Sequence, residues 1–377
     1  MIRTPTRRAS EGLASFLWFG LVLAPVLTSA ETSVLADLDS LGARVSKNSA
    51  GEIIGVDLAR AWLTDADLEK LAQLSKLESI DLSYTKITDL GLENLAPLQN
   101  VKVLNLYYAE AVSDLGIAHL KHWKNLEQLN VRGTKVTSTL FEHVTKMTKL
   151  KFLDVGCSRV NDDLFEVLDN LPQLEHLAFG GNKMSGAALP LLRSCPALKE
   201  LSVSGQQRTD SGLWSVAVTD FNISHIAALP HLEMLDLGET NLSDRGLAEL
   251  ARLVNLHTLD LHATRVTSKG LASLTGLPNL RHLKLWKAKG IDDAAISAFL
   301  KMEKLESLEL PETNVAFAGL TQLAAKPNQS LKHLLLGGLD LTPEQLASLL
   351  QGMPNCQISW WTKPTIEYPD TGRRFGN

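Results

Sequence analysis

The sequence predicts an α/β solenoid, a curved horseshoe with a parallel β-sheet on its concave face and helices on its convex face. Three observations support this fold class. A run of apolar residues returns about every 24 residues, and its register holds over about 12 copies between residues 53 and 361. Each copy also changes from the two-residue period of a strand to the spacing of a helix. Copies that stack in this way form one continuous body.

The first segment of the chain, residues 1–30, has the features of a secretory signal peptide. Arg3, Arg7 and Arg8 precede an apolar run over residues 13–27, and small residues end at Ala30. This order predicts export to the periplasm, the cell envelope or the exterior, with no stable membrane span after cleavage. The alternative is an uncleaved membrane anchor, because residues 12–30 hold no charge and a span requires ~20 residues.

Residues 31–52 are expected to form an N-terminal cap, a helix followed by a hairpin, because the first repeat of a solenoid has no neighbour on one side. The repeats follow over residues 53–361, and residues 362–377 are predicted to be a flexible tail. The intervals between repeats are 24–26 residues, except for one of 34. The repeats begin at Ile53, Leu77, Val101, Leu126, Leu150, Leu174, Leu198, Leu232, Leu256, Leu280, Leu305 and Leu331.

Each repeat carries the same internal signals, which the second repeat shows clearly. Residues 77–82 alternate as a strand with one buried face does. Thr85 follows, and we expect its side chain to satisfy backbone groups of the turn. Thr88 and Asp89 are expected to cap the next helix, with the acid at the positive end of the helix dipole.

These signals resemble the leucine-rich repeats of the ribonuclease-inhibitor and F-box type, in the form found in exported bacterial proteins. The same phrase occurs at residues 77–95, 232–250 and 256–274, with T-D-x-G-L or a close variant at the start of the outer helix. The resemblance implies the horseshoe fold and binding of a protein or another ligand on the concave wall. Leu140, Phe317, Ala178 and Leu335 depart from the pattern.

Side chains between the strand leucines are expected to point into the concave groove. One column of twelve residues, from Asp57 to Leu335, holds six acids and one base, which predicts a negative potential. Aromatic and charged residues beside this column are typical of binding hot spots. The alternative is a solvated sheet whose aromatics fill gaps between strands. The candidate binding residues are Tyr107, Tyr108, Arg132, Phe152, Asp154, Trp214, Asp236, Asp260, His262, His282 and Trp286.

The interval of 34 residues predicts an insertion near residues 206–217. It can be a loop where the strand leads into the helix, with Thr219 and Asp220 restoring the register. Alternatively, Thr209 and Asp210 start the helix and the extra residues lie on the convex side. Trp214 is expected to pack back onto the solenoid or to meet a partner. Insertions in repeat proteins often lie on the binding face.

Composition and motifs limit the function further. The net charge is −5 without a block of like charge, so neither a nucleic acid nor an anionic membrane is expected as a partner. Cys157, Cys195 and Cys356 are too far apart for a zinc or disulfide framework. The acid pair Asp236 and Asp260 lacks further oxygen ligands for calcium, so no metal is predicted.

No catalytic motif of a zinc protease, serine hydrolase, dinucleotide-binding or phosphate-binding loop type occurs in the sequence. We therefore predict no enzymatic activity, no catalytic residue and no cofactor. The expected function is a non-catalytic protein-binding module. The alternatives are a structural component of the cell envelope without a specific ligand and an inhibitor of a secreted enzyme. The sequence does not determine the oligomeric state.

Overall fold

A computed structural model describes residues 29–210, 212–326 and 330–361. The predicted tail over residues 362–377 lies outside this range, as do residues 1–28 of the predicted signal peptide. Among the described residues, no helix has the length and the apolar content needed to cross a membrane.

The strands follow one another in chain order. They are β1 (Arg44–Lys47), β2 (Ile53–Asp57), β3 (Ser79–Asp81), β4 (Val103–Asn105), β5 (Gln128–Asn130), β6 (Phe152–Asp154), β7 (His176–Ala178), β8 (Glu200–Ser202), β9 (Gln207–Thr209), β10 (Gly212–Trp214), β11 (Met234–Asp236), β12 (Thr258–Asp260), β13 (His282–Lys284), β14 (Ser307–Glu309), β15 (His333–Leu335) and β16 (Gln357–Ser359). In the described ranges, fourteen of them form one sheet, and only β1 is antiparallel to its neighbour. The remaining two, β9 and β10, pair with each other. The middle residues of adjacent strands, such as Ile80 and Leu104, lie in register.

In each repeat from β2 to β15, a short helix follows the strand of the large sheet and packs its apolar residues against that sheet. The α-helices are α1 (Ser29–Ser40), α2 (Asp65–Leu71), α3 (Asp89–Leu95), α4 (Asp114–His119), α5 (Phe141–Val144), α6 (Ile223–Ala227), α7 (Asp244–Glu249), α8 (Ile296–Phe299), α9 (Phe317–Ala325) and α10 (Pro343–Gly352). The 3₁₀-helices span Ser138–Leu140, Asp162–Asn170, Leu189–Ser194, Leu250–Arg252, Gly270–Gly276 and Asp293–Ala295. The predicted α/β solenoid is therefore confirmed.

The repeated leucines build one contiguous apolar core. In the second repeat, Leu77, Leu82, Ile87, Leu92 and Leu95 are all fully buried. Complete burial of each such side chain contributes ~1.5–3 kcal/mol. Because every repeat repeats this burial, the leucine pattern is the main stabilising feature of the solenoid.

In seven repeats a polar residue after the strand satisfies the turn, as predicted. Thr85 Oγ1 donates to the carbonyl oxygen of Leu82 at 2.6 Å. In the sixth repeat Asn182 Nδ2 donates to the carbonyls of Val155 and Phe179. The same hydroxyl-to-carbonyl bond occurs at Thr134, Ser158, Thr240, Thr264 and Thr313.

Where an aspartate starts an outer helix, its carboxylate does more than interact with the helix dipole as predicted. Asp89 lies in the first turn of α3, but its carboxylate accepts hydrogen bonds from the next repeat: Ser113 N at 2.7 Å and Ser113 Oγ at 2.6 Å. We call this arrangement the inter-repeat clamp. It recurs between Asp65 and Thr88, Asp114 and Thr137, Asp220 and Ser243, and Asp244 and Thr267.

The inter-repeat clamp also explains the glycine of the T-D-x-G-L motif. A Cβ atom on Gly116 would lie 2.5 Å from Asp89 Oδ1, which is closer than real Cβ atoms approach. Leu140 takes the place of this glycine in the fourth repeat, whose helix begins as a 3₁₀ turn at Ser138. Thr137 still donates to Asp114 there, so the clamp persists.

The long interval contains a β-hairpin, formed by β9 and β10, between strand β8 and helix α6. This is the first of the two placements that the sequence allows; the alternative helix start at Thr209 and Asp210 does not form, because Thr209 ends strand β9. Ala217 N donates to the Met184 carbonyl at 3.0 Å, and Gln206 Nε2 donates to the Glu239 carbonyl at 3.1 Å. The hairpin is therefore tied to the repeats on both sides.

The helix predicted to start at Thr219 and Asp220 begins later, at Ile223. Asn222 Oδ1 accepts a hydrogen bond from Thr219 N at 2.8 Å, which closes a separate turn before the helix. Asp220 is then free to accept from Ser243 of the next repeat.

Candidate functional site

Three tyrosines from neighbouring repeats pack together where the strands end, and we call Tyr84, Tyr107 and Tyr108 the tyrosine cluster. The rings of Tyr84 and Tyr108 are stacked with centroids 5.7 Å apart. Tyr107 meets Tyr84 edge-on at 5.2 Å and Tyr108 at 4.8 Å. The guanidinium of Arg60 lies 5.0 Å from the Tyr84 ring, while 46% of Tyr84 remains exposed. The cluster is thus a rigid aromatic surface that is still open to a partner.

A recurring turn positions two of these tyrosines. Tyr84 and Tyr108 have φ values of 57° and 53°, in the left-handed region. Other repeats place Gly133, Gly181 or Gly338 at the same point of the turn. A residue with a Cβ costs roughly 1–2 kcal/mol in this conformation. The turn requires this left-handed conformation in every repeat. Tyr84 and Tyr108 therefore occupy a position where the backbone favours glycine.

Arg132 and Asp154 lie beside the tyrosine cluster and interact with each other. Arg132 Nη1 is 3.7 Å from Asp154 Oδ1, and Nη2 donates to Cys157 Sγ at 3.4 Å. Asp154 is only 8% exposed, and burial raises the pKa of its carboxyl although Arg132 opposes this shift. Asp154 Oδ1 thus both accepts a hydrogen bond from Gly156 N at 2.8 Å and lies close to the Arg132 guanidinium.

Phe152 occupies the same strand as Asp154, two residues earlier, and stacks on the next repeat. Its ring lies parallel to that of His176, with centroids 4.1 Å apart. His176 Nδ1 is 2.8 Å from Glu200 Oε2. These contacts extend the aromatic surface of the sheet towards β8.

A second group of predicted residues forms an acid–histidine cluster: Asp236 ends β11, Asp260 ends β12, and His262 follows two residues later. His262 Nδ1 is 2.8 Å from Asp260 Oδ1, and this hydrogen bond raises the pKa of His262 although burial opposes it. Burial, followed by the charge of Asp260, raises the pKa of Asp236. Ser202 Oγ donates to Asp236 Oδ2 at 3.0 Å.

Trp286 lies next to the acid–histidine cluster and is 40% exposed. Its ring is stacked on His262 at 6.2 Å, and its Nε1 donates to Glu312 Oε1 at 3.1 Å. His282 lies on the next strand, where burial lowers its pKa. Among the described residues, no ion pair or ring contact joins His282 to the acid–histidine cluster. The structure thus separates the predicted residues into two groups, with β7 and β8 between them.

The column of acids has a structural role that the sequence analysis missed. Asp81 Oδ1 accepts a hydrogen bond from Ser83 N at 2.8 Å, two residues further on. The same bond to the residue two positions later occurs at Asp57, Asn105, Asn130, Asp154, Asp236 and Asp260. One oxygen of each side chain therefore closes the turn. Asparagine replaces aspartate at two of these positions because the bond requires an acceptor and not a charge.

The acid–histidine cluster is also the place where the described residues come closest to a metal site. Ligand atoms of Asp236, Asp260 and His262 all lie within 4.8 Å of one another. Their oxygens already accept from Ser202, Gly238 and the His262 amide, and Lys284 Nζ is 3.9 Å from Asp260. Internal hydrogen bonds therefore satisfy much of this cluster.

The hairpin forms one wall of a cavity beside the tyrosine cluster. This cavity has a volume of about 510 Å³ and is lined by Tyr108, Cys157, Gln207 and Trp214, among others. A second cavity of about 620 Å³ shares Tyr108, Glu110 and Lys135 with it and extends to Tyr84. Trp214 is half-buried in this wall, so it both packs back and lines the cavity.

Several residues that line the cavities were missed in the sequence analysis: Lys86, Glu110, Lys135, Arg159 and Gln207. The sequence does contain a periodic signal for Lys86, Lys135 and Arg159, because each of these bases directly follows the polar turn residue of its repeat. The equivalent residue is also basic at Lys183, Arg265 and Lys289. These residues are distant in sequence, and only the stacking of repeats places them in one row.

Comparison with known proteins identifies the family of the fold. A model of a leucine-rich repeat region matches residues 62–351. No curated protein matches the sequence. An internalin (inlF) from Listeria monocytogenes is 19% identical over 88% of this chain and 94% of its own, with a TM-score of 0.53. A leucine-rich repeat protein from Leptospira interrogans is 18% identical over 85% of this chain and 94% of its own, with a TM-score of 0.41.

Proposed function

The chain belongs to the leucine-rich repeat family, and we propose that it is a non-catalytic protein-binding module that acts outside the cytoplasm. The sheet face and the hairpin would form the binding surface. Proteins of this fold typically bind other proteins, but the fold alone does not identify the partner. Export is supported by the basic and apolar pattern over residues 1–30.

The observation that carries this proposal is the tyrosine cluster. A hot spot combines large aromatic area with little conformational freedom, and mutual stacking restrains these three rings before any partner arrives. Tyr84 is still 46% exposed and lines the cavity of about 620 Å³. Trp286, at 40% exposure, offers a second aromatic anchor at the acid–histidine cluster.

A binding experiment with matched surface variants tests the proposal. The full chain is immobilised, proteins are captured from envelope and secreted fractions, and the affinity of each captured protein is measured by titration. The test variant is Tyr84→Ala/Trp286→Ala. The control is Leu115→Ala/Phe221→Ala, which removes side chains that are 70% and 82% exposed away from the strands. We expect at least tenfold weaker binding for the test variant, about 1.4 kcal/mol, and an unchanged affinity for the control.

Two alternatives predict different results. A structural envelope component would show no saturable partner but self-association that rises with concentration in sedimentation experiments. An inhibitor of a secreted enzyme would lower the activity of the captured protein at a ratio of one to one. Equal loss of affinity in the test and control variants would contradict the role of the sheet face.

A further inference from the structure

The cavity at the hairpin and its neighbour lie side by side along the edge of the solenoid, and we treat them as one trough. They meet at Tyr108, Glu110 and Lys135, which line both. Their volumes, about 510 and 620 Å³, are each within the ~300–1,000 Å³ of typical ligand pockets. We call this space the hairpin trough. Its shape suits a ligand longer than a single small molecule.

The wall of the trough contains a polar atom that requires a partner. Gln207 Oε1 is buried and accepts no hydrogen bond from any described residue. Gln207 pairs with Trp214 across the hairpin, so both side chains lie on the face of the hairpin that lines the trough. A buried acceptor without a donor is costly. Because Gln207 lines the cavity, rotation of its amide group towards the trough would let a ligand N–H or O–H group satisfy Oε1.

The charges along the trough are unpaired. Among the described residues, Glu110, Lys135, Arg159 and Asp210 form no ion pair, although all four line the first cavity. Lys86, which lines the second, lies 5.7 Å from the Trp62 ring and also forms no ion pair within the described part. Three bases and two acids leave the trough with a net charge of +1.

The spacing of the repeats sets the length of a complementary ligand. Lys86, Glu110, Lys135 and Arg159 belong to four consecutive repeats. Three steps of ~4.8 Å between parallel strands amount to roughly 14 Å. An extended peptide advances ~3.3 Å per residue, so about four residues span this distance.

We propose that the hairpin trough binds an extended peptide segment of about four residues with an excess of acidic side chains. Its acids pair with Lys135 and Arg159, and one of its backbone N–H groups donates to Gln207 Oε1. This inference depends on the proposed protein-binding function and names the part of the partner that is recognised.

A peptide matches the trough because it supplies both backbone N–H donors for Gln207 and charged side chains for the unpaired bases. Both faces of the Tyr108 ring are occupied, one by the stacked ring of Tyr84 and the other by the backbone of Gly133. Tyr84 and Trp214 also line the trough, so an oligosaccharide is a separate outcome of the test.

Selection from a library of random seven-residue peptides displayed on phage, with the full chain as bait, tests the proposal. Selected peptides are then synthesised and titrated against three variants. Lys135→Glu/Arg159→Glu inverts the bases of the trough. Arg265→Glu/Lys289→Glu changes the charge equally, at the equivalent repeat positions beyond the hairpin. Gln207→Met removes the unpaired oxygen with little change in volume.

We expect the selected peptides to be rich in aspartate and glutamate. Their affinity should fall at least tenfold in the trough variant and in Gln207→Met, and less than twofold in the Arg265/Lys289 variant. Selection of neutral or basic peptides, or equal losses in the two charge variants, would overturn the proposal. The proposal would also be overturned if no peptide is selected and the chain instead binds alginate oligosaccharides, an acidic saccharide probe, in a parallel titration.

The design separates this inference from the broader one. If the chain captures a protein saturably but selects no acidic peptide, the trough proposal fails and the protein-binding function stands. If neither envelope nor secreted fractions contain a saturable partner, the proposed function itself fails.

Discussion

The inter-repeat clamp predicts that a single surface aspartate stabilises the solenoid strongly. In Asp89→Ala, Ser113 loses two hydrogen bonds to a carboxylate, at 2.7 Å to its N–H and 2.6 Å to its hydroxyl. Each hydrogen bond to a charged group contributes ~1.5–3 kcal/mol. Both residues are half-buried, so water replaces part of what is lost. The expected destabilisation is about 2–4 kcal/mol.

Urea denaturation followed by circular dichroism measures this loss, and Asp163→Ala is the matched control. Asp163 also lies in the first turn of its helix, but it is exposed, and no described residue donates a hydrogen bond to its side chain. Removal of its interaction with the helix dipole should cost only ~0.3–1 kcal/mol.

The two explanations of the aspartate differ in this comparison. If Asp89→Ala and Asp163→Ala lower the free energy of unfolding equally, the helix dipole accounts for the aspartate and the clamp contributes nothing. Hydrogen exchange of the Ser113 amide gives an independent check, because the clamp is its acceptor. Unchanged protection of this amide in Asp89→Ala would refute the clamp.

Three further predictions concern the hairpin and the acid–histidine cluster. Deletion of residues 206–215 restores the repeat spacing, and none of the nine described residues in this range is buried. The free energy of unfolding from urea titration should therefore change by less than about 1 kcal/mol while partner binding weakens, and a larger loss would show a structural role. Gln207→Met should raise the free energy of unfolding by about 1–3 kcal/mol, because it removes a buried acceptor that has no donor. If the same urea titration instead shows that Gln207→Met is less stable, Oε1 has a partner in the free protein. The hydrogen bond to Asp260 raises the pKa of His262 above 6.5, so the stabilisation by protonated His262 is complete below the unfolded pKa and disappears as the pH rises through the folded pKa. The free energy of unfolding of the native chain should therefore decline from about pH 5.5 to about pH 8.5, and an identical pH profile in His262→Gln would contradict this prediction.

The sequence was sufficient to predict the features that depend on burial and on local partners. Leu82 and Leu92 are buried for the same reason in every repeat, so periodicity alone identifies them. Thr85 bonds to a carbonyl three residues away, so its role is visible within one repeat. Both the leucine periodicity and the turn hydrogen bond depend on residues close together in the sequence, so the strands and turns could be predicted from it.

Other features depend on contacts between repeats and were not predicted. Asp89 and Ser113 are 24 residues apart, and nothing within one repeat shows that they meet. The acidic column was interpreted as surface charge, although the turn beginning at Asp81 uses one oxygen of its carboxylate. The sequence identified the insertion by length, but not the pairing of Gln207 with Trp214 that forms the wall of the trough.

The pairing of charges along the sheet explains why the hairpin trough, rather than the whole chain, is expected to govern electrostatic recognition. Acids and bases alternate after the first leucine of successive repeats and pair with their neighbours. The pairs are Glu78–Lys102, Glu127–Lys151, Glu175–Lys199 and Glu306–Lys332, each at 3.0 Å or less. Exposed pairs of this kind contribute only ~0–1 kcal/mol to stability, but they cancel one another's field. Lys135 and Arg159 form no ion pair among the described residues, and Glu110 and Asp210 offset only part of the positive charge of the trough. A net charge of −5 for the chain therefore does not prevent local attraction of an acidic segment.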